Sequence, residues 1–284
     1  MSTPPNKNAD QDVVADFGAE WARFDQSDVP TAELARQFAD YFAVFPWDQV
    51  GEHSRGFDLG CGSGRWADFV APRVAELNCI EPSGEALAVA KRKLAIHPNC
   101  RFYQNSADEK PLGNATMDFG YSLGVLHHIP DSMAALKCCA EQLKPGGVFL
   151  AYMHYALDGR PWWYRALWRR SDVMLRVISQ QPHAIKHFIA DAIALGIYWP
   201  LAKLAWLVGK LGVPARQLPL ASYAGKSFST LRTDALDRFG TRLEKRFTRD
   251  EIETMFEIAG FENIIFSDRQ PYWCVVATRA ARNC

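Results

Sequence analysis

The run FDLGCGSGRW at 57–66 constrains the fold more than any other stretch of the chain. An apolar, strand-like segment leads into three glycines within five positions, Gly60, Gly62 and Gly64, and a helical pattern follows. Glycines so spaced suit a sharp turn from a buried strand into a helix, because without Cβ atoms the backbone reaches left-handed angles and approaches a ligand closely. The free N–H groups of the following helix then face the space above the strand end. The first strand is expected at 55–60, with further short apolar segments at 77–81, 100–103, 118–123 and 147–153. Helical stretches at 65–73, 83–95 and 131–143 alternate with them, the pattern of a parallel sheet covered by helices.

Spacing within the loop restricts its ligand. A dinucleotide fingerprint G-x-G-x-x-G would need glycine at 65, where Arg65 stands. Asp58, two residues before the first glycine, would repel a pyrophosphate and suits a cationic amino-acid end. Glu81 ends the second strand at 81 − 60 = 21 residues from Gly60, where a ribose-binding carboxylate is expected. Such a carboxylate can accept hydrogen bonds from both ribose hydroxyls. Alone, the loop also reads as a ligand-free tight turn, and Glu81 as an exposed strand-end charge.

With CIEPS, NSAD, DFGYSLGVLHHIPD and LKPGGVFLAYM in order after the glycine loop, the chain resembles class I S-adenosylmethionine-dependent methyltransferases. It looks most like the small-molecule group that includes ubiquinone and sterol methylating enzymes. The resemblance covers about 13–155 and the last helix and strands. It implies an α/β, Rossmann-like fold: a seven-stranded mixed sheet with helices on both faces, its last strand antiparallel, and S-adenosyl-L-methionine over the carboxyl edge. It further implies that Asp58 and the backbone of Gly60, Cys61, Gly62 and Gly64 hold the methionine portion. Glu81 would bind the ribose beside Pro82 and Ser83, Asp108 the adenine amino group with Ala107 alongside, and Leu123 would border the cofactor.

Methyl transfer from a sulfonium aligns three atoms in line and can require removal of a proton. Candidate bases stand after strands four and five: His127 and His128 in GVLHHIPD, and His154 in LAYMHYA. Their titration range suits the task, while a purely structural role for the strand-four pair stays open. No Cys, His or Glu group has metal-ligand spacing, so no metal is expected.

After the fifth strand about ninety residues intervene before the last helix and strand pair, and they read as a helical cap at 156–240, inserted after the fifth strand. From Arg160 to Arg216 nine Lys and Arg oppose two Asp, a balance of 9 − 2 = +7 in a chain whose net charge is zero. Trp162, Trp163, Trp168, Trp199 and Trp206 fall in this segment. They read first as core of a plain lid, then as a lid receiving an amphipathic acceptor, with Tyr155, Trp162, Trp163 and Arg165 as substrate contacts. Docking on a membrane surface is the third and least favoured reading. An eleven-residue uncharged run, Ala192–Ala202, is too short to span a bilayer.

The remaining boundaries follow: a loose tail at 1–12 with no leader-like segment, N-terminal helices and cofactor-binding core at 13–155, and a C-terminal helix with two strands at 241–284. A helix in DFGAEWARF is expected to fold over the cofactor, with Trp21 and Phe24 excluding water. The cluster at 233–251, with Asp237, Arg238 and Arg246, reads first as surface ion pairs and second as charges reaching the acceptor pocket from below the lid. Thr248 and Glu251 form a capping box before the last helix, and Gly260 ends it. Seven scattered cysteines without a C-x-x-C pair suggest reduced, core-filling thiols and a cytoplasmic protein. Zero net charge argues against a chain-wide grip on nucleic acid. The expected function is methylation of a hydroxyl, nitrogen or activated carbon on a small or amphipathic, lipid-linked or anionic molecule. A cofactor-binding, non-catalytic partner subunit and an NAD-dependent oxidoreductase are the alternatives.

Overall fold

The computed structural model describes residues 8–23, 28–156, 162, 175, 177–181, 183–211, 220, 223–240, 243–269 and 271–281. The chain forms two compact units. The first comprises Met1–Asp25, Ala35–Asp158 and Leu243–Cys284. The second comprises Gln26–Leu34 and Gly159–Arg242.

In the first unit, seven strands lie in the order β3-β2-β1-β4-β5-β7-β6. They are β1 (Arg55–Leu59), β2 (Glu76–Ile80), β3 (Cys100–Tyr103), β4 (Met117–Leu123), β5 (Leu143–Tyr152), β6 (Phe261–Phe266) and β7 (Cys274–Arg279). The first five pair in parallel, while β7 runs antiparallel to both β5 and β6. The sheet is therefore mixed, with its last strand reversed. Parallel neighbours need crossovers. α3 (Ala67–Val70), α4 (Gly84–Lys93) and α5 (Ser132–Gln142) supply those from β1 to β2, β2 to β3 and β4 to β5, while β3 returns to β4 without a helix. Strand order reverses between β1 and β4, which opens a crevice at their carboxyl ends. Two helices precede the sheet, α1 (Gln11–Arg23) and α2 (Thr31–Tyr41).

Two apolar clusters form the core: one gathers Phe42, Leu77, Tyr121 and Leu150, the other Phe57, Leu136, Phe149 and Phe256. The described cysteines, Cys61, Cys79, Cys100, Cys138, Cys139 and Cys274, are all buried and unbonded. Cys284 lies outside the described residues.

β1 and β4 interlock through reciprocal glycine–phenylalanine pairs: Gly56 faces Phe119 and Phe57 faces Gly120 in the register. A Cβ on Gly56 would lie 2.3 Å from the Phe119 ring, and one on Gly120 2.3 Å from the Phe57 ring. Neither ring can yield, since both phenylalanines are fully buried. Gly120→Val is therefore expected to destabilise the protein by about 3 kcal/mol or more. A thermal melt should show a fall of roughly 6–10 °C.

The last helix of the first unit, here α9 (Arg249–Ile258), starts with the expected capping box: Thr248 Oγ1 accepts from the Glu251 N–H, and Glu251 Oε2 accepts from the Thr248 N–H at 2.7 Å. Gly260 follows it in a left-handed conformation, φ +90°. The tail expected at 1–12 does not extend so far. Asn8 is buried, donating through Nδ2 to the Asp131 carbonyl at 3.0 Å and accepting the Asp131 N–H at 2.6 Å.

The second unit contains α6 (His183–Ile193) and α7 (Trp199–Lys210), joined by a π-helical stretch at Ala194–Tyr198, and α8 (Phe228–Gly240). Its core is built on Ile193, Ala194, Tyr198, Leu231, Ala235 and Phe239. The described tryptophans are not in that core. Trp162 is 76% exposed, and Trp199 and Trp206 also show much of their surface. Residues 26–34 carry no sequence signal attaching them to this unit. The attachment is made by the buried Glu33 carboxylate, which accepts from the Ser227 N–H at 3.1 Å and from the Thr230 hydroxyl at 2.7 Å.

Candidate active site

β1 carries Asp58 to the base of the glycine loop, where the residue is 2% exposed. Its Oδ2 has no hydrogen-bond partner among the described residues. Burial pushes this carboxyl up to about 8, opposed by the Tyr121 hydroxyl and reinforced by the charge of Glu81. β2 presents Glu81 beside it. Glu81 Oε2 accepts from the Gly62 N–H and Oε1 from the Ser83 N–H, both at 3.0 Å. Burial raises Glu81 to about 7 against these two bonds. The carboxylate thus ties the glycine loop to β2, and each oxygen keeps a second lone pair for a further donor.

Gly60 and Gly62 have left-handed angles, φ +74° and +53°. The space left by their missing Cβ atoms is filled by the protein: a Cβ on Gly60 would lie 2.4 Å from Val125, and one on Gly62 3.0 Å from the Trp21 indole. Gly64 packs likewise against Leu94, at 2.9 Å. Packing as well as conformation therefore demands these glycines, a constraint added to the turn that their spacing predicts. Cys61 is buried within the loop, and Ser83 caps α4 by accepting the Ala86 N–H at 3.3 Å.

A cleft of about 770 Å³, counting its part open to solvent, lies over these strand ends. Of the sequence-predicted residues, Gly60, Glu81, Pro82, Ala107, Leu123 and His128 line it, while Asp58, Cys61, Gly62, Gly64, Ser83 and Asp108 lie outside the lining. Asp108 Oδ1 is buried without a partner among the described residues. The opposite wall is α1, through Val13, Phe17 and Trp21. Its amphipathic pattern signalled this. Phe24 lies outside the described residues. Nothing in the sequence signalled that Asn8 and Asp10 also line the cleft.

The three candidate histidines stack. His127 and His154 rings lie 3.8 Å apart at 24°, and His127 and His128 4.1 Å apart at 53°. One segment, residues 243–247, holds all three. The Leu243 carbonyl is 2.6 Å from His128 Nδ1, and Glu244 Oε1 is 2.9 Å from His154 Nδ1. Backbone N–H groups of Lys245 and Phe247 donate to the carbonyls of His127 and His154 at 3.0 and 2.9 Å. A carbonyl can only accept, so His128 Nδ1 carries a proton and the lone pair of the neutral ring sits on Nε2. Phe17 meets the same ring edge-on at 5.0 Å.

His127 differs from its neighbours. It is fully buried, neither ring nitrogen has a partner among the described residues, and it does not line the cleft. Burial first, then the charges of His154, His128 and Arg246, hold its pKa well below the usual imidazole value. His127 therefore stands behind the cleft wall, whereas the His128 ring forms part of it.

The charges expected at the surface are also drawn inward. Arg246 pairs with Glu244 and donates to the Tyr155 carbonyl at 3.3 Å, and Arg238 is 7% exposed against the Phe239 ring. The Asp237 side chain lies outside the description. Among the expected substrate contacts, Tyr155 packs against Tyr272 and Trp273, and Trp162 is exposed. Trp163, Arg165 and Trp168 lie outside the described residues.

Residues 57–151 match the family model of the methyltransferase domain. The chain is 26% identical over 205 residues to ubiquinone biosynthesis O-methyltransferase of Escherichia coli, covering 68% of this chain and 81% of the relative. The Shigella flexneri enzyme of the same name matches to the same extent. The chain therefore carries an S-adenosylmethionine-dependent methyltransferase domain. Solved structures share the fold. One is the methyltransferase bound to the Haloferax volcanii Trm112 methyltransferase activator, with TM-score 0.50, 14% identity, and 93% of this chain and 98% of that chain covered. Another is a Bacillus halodurans methyltransferase, with TM-score 0.50, 12% identity, and 87% and 100% covered. S-adenosyl-L-methionine is the methyltransferase's cofactor, supplying an electrophilic methyl on a sulfonium. The partnerless buried oxygens of Asp58 and Asp108 fit a molecule that brings an ammonium at one end and an amino group at the other.

Proposed function

We propose that this methyltransferase methylates a hydroxyl group of a small or amphipathic, lipid-linked molecule, with His128 taking the hydroxyl proton. The observation that carries the reading is the state of His128. Its Nδ1 proton is committed to the Leu243 carbonyl, so the basic Nε2 belongs to a ring that lines the same cleft as Glu81, Ala107 and Leu123. A hydroxyl needs such a base as its oxygen turns into an ether, whereas a neutral amine attacks through its own lone pair and sheds its proton afterwards. The similarity to O-methyltransferases of ubiquinone biosynthesis supports a hydroxyl on a molecule with an apolar tail.

Asp58 is assigned the ammonium of the cofactor, Glu81 the ribose hydroxyls and Asp108 the adenine amino group. Cys61, Gly62 and Gly64 act through the backbone of the loop, and Leu123 lines the apolar side. α1 excludes water from the cleft through Phe17 and Trp21.

The test is to incubate the full chain with isotopically methyl-labelled cofactor and matched acceptors: polyprenylated and short-chain catechols, the corresponding anilines, and activated-carbon compounds. Label in an ether oxygen of the catechols, with demethylated cofactor formed in equal amount, is expected. Label that enters only nitrogen or carbon acceptors would overturn the hydroxyl assignment.

A further inference from the structure

The second unit presents an apolar surface that its own core does not use. Ile185–Lys210 is a single helical run of 26 residues, long and apolar enough by composition to cross a membrane. The shorter uncharged run Ala192–Ala202 understated it, because Lys186, Asp191 and Lys203 interrupt an otherwise apolar segment. One face, Ala190, Ile193, Ala194, Tyr198, Ala202 and Ala205, is buried. The π-helical stretch takes up one extra residue midway, which keeps this face in register across the whole run. By the same phasing Phe188, Leu195 and Leu207 point away from that face and Trp199 and Trp206 flank it, all exposed, and Leu211 continues the apolar surface beyond the helix. Phe188 is 74% and Leu211 73% exposed. A contiguous apolar stripe of this extent marks a docking surface.

Its rim carries positive charge. Lys203 Nζ lies 5.9 and 5.8 Å from the Trp199 and Trp206 ring centres, and Lys210 Nζ 4.0 Å from the Trp206 ring. Asp191 is the single acidic residue between Ile185 and Lys210, and it faces Arg232 at 3.7 Å. In the sequence, this run belongs to the Arg160–Arg216 segment, whose balance is +7. We propose that this face docks on an anionic lipid bilayer, with the helix lying in the plane of the interface. Indole rings favour the headgroup boundary, apolar side chains enter the acyl region, and lysine ammoniums reach anionic headgroups along flexible stems.

The same observations argue against the other occupants. Spanning would strip the Ala190–Ala205 face from Leu231, Ala235 and Phe239 and expose Asp191 and Lys203 to hydrocarbon. A second copy meeting this face by twofold symmetry would set Lys203 and Lys210 against the same cations.

Vesicle flotation of the purified full chain tests the proposal. At low salt the chain is expected to float with phosphatidylcholine vesicles containing phosphatidylglycerol, and to stay largely unbound with pure phosphatidylcholine. Trp206→Glu with Leu207→Glu is expected to lower partitioning at least tenfold, while the melting temperature and cofactor affinity stay unchanged. Lys203→Glu and Lys210→Glu should each cost about fivefold and flatten the salt dependence. Failure of the wild type to float with the anionic vesicles at low salt overturns the proposal, as does equal flotation of the Trp206/Leu207 variant. Resistance of the bound chain to alkaline extraction would make the helix spanning. A concentration-dependent dimer, broken by the Trp206/Leu207 variant in light scattering without vesicle binding, would make the occupant a second copy. Either result overturns docking. Vesicle binding is read without acceptor or turnover, so its failure leaves the methyl-transfer reading standing.

Discussion

Asp58→Asn is expected to abolish useful cofactor binding and, at the same time, to stabilise the free protein at pH 8. Asp58 is buried without a partner for Oδ2, and its pKa stands at about 8 against an ordinary 3.8. A carboxyl whose folded pKa is raised contributes stability that is complete below about pH 4 and is lost as pH rises through about 8. Glu81, raised from 4.5 to about 7, adds to the same slope. The free wild type should therefore lose stability between about pH 4 and 8, a window set by these two groups.

The amide in Asp58→Asn carries no charge to desolvate. At pH 8 the variant should melt about 5 °C higher, the counterpart of about 2 kcal/mol, and show a flatter pH dependence. The cost appears on binding. A buried charge-assisted hydrogen bond to an ammonium is worth about 2–3 kcal/mol, so Kd should rise roughly 100-fold. Calorimetry in buffers of different ionisation enthalpy should show the wild type releasing a proton when it binds near pH 7, and the variant releasing less. Unchanged affinity in the variant would remove Asp58 from the cofactor site.

His128→Ala should leave cofactor affinity within a few-fold and lower kcat for a hydroxyl acceptor by about 10²–10⁴, the usual range for loss of a positioned base. His154 supplies the comparison: its Nδ1 faces Glu244, and it does not line the cleft. His154→Ala is expected to lose less than tenfold. If the two losses come out in the opposite order, the proton belongs to the ring oriented by Glu244. If both variants keep near-wild-type turnover across pH, no histidine of this stack is the base.

Much of the first unit was legible because its signals are local. The strand–glycine–helix step at 57–66, the acid at 81 and the helix patterns after 65, 83 and 131 depend on neighbours a few residues away. The sheet places β1–β4 within a residue of the expected spans. β5 begins earlier, at Leu143, because the LKPGG stretch already pairs: Met117 sits opposite Leu143 ahead of an irregularity in the register. Thr248 and Glu251 were readable for the same reason, since a capping box closes within four residues.

What the sequence by itself determined is the alternation of strand and helix, the glycine turn and the acids at the strand ends, all of which local backbone geometry and burial dictate. Tertiary structure alone decided what surrounds them. The 243–247 segment read as surface charge, yet Leu243 and Glu244 sit 115 and 90 residues from the histidines they hold. Glu33 finds its partners Ser227 and Thr230 at the far end of the second unit. The described tryptophans of that unit are exposed, while its core is taken by Ile193, Tyr198, Leu231 and Phe239 with alanines between them. Each of these outcomes depends on which distant groups burial brings together, and no periodicity along the chain encodes a choice of that kind.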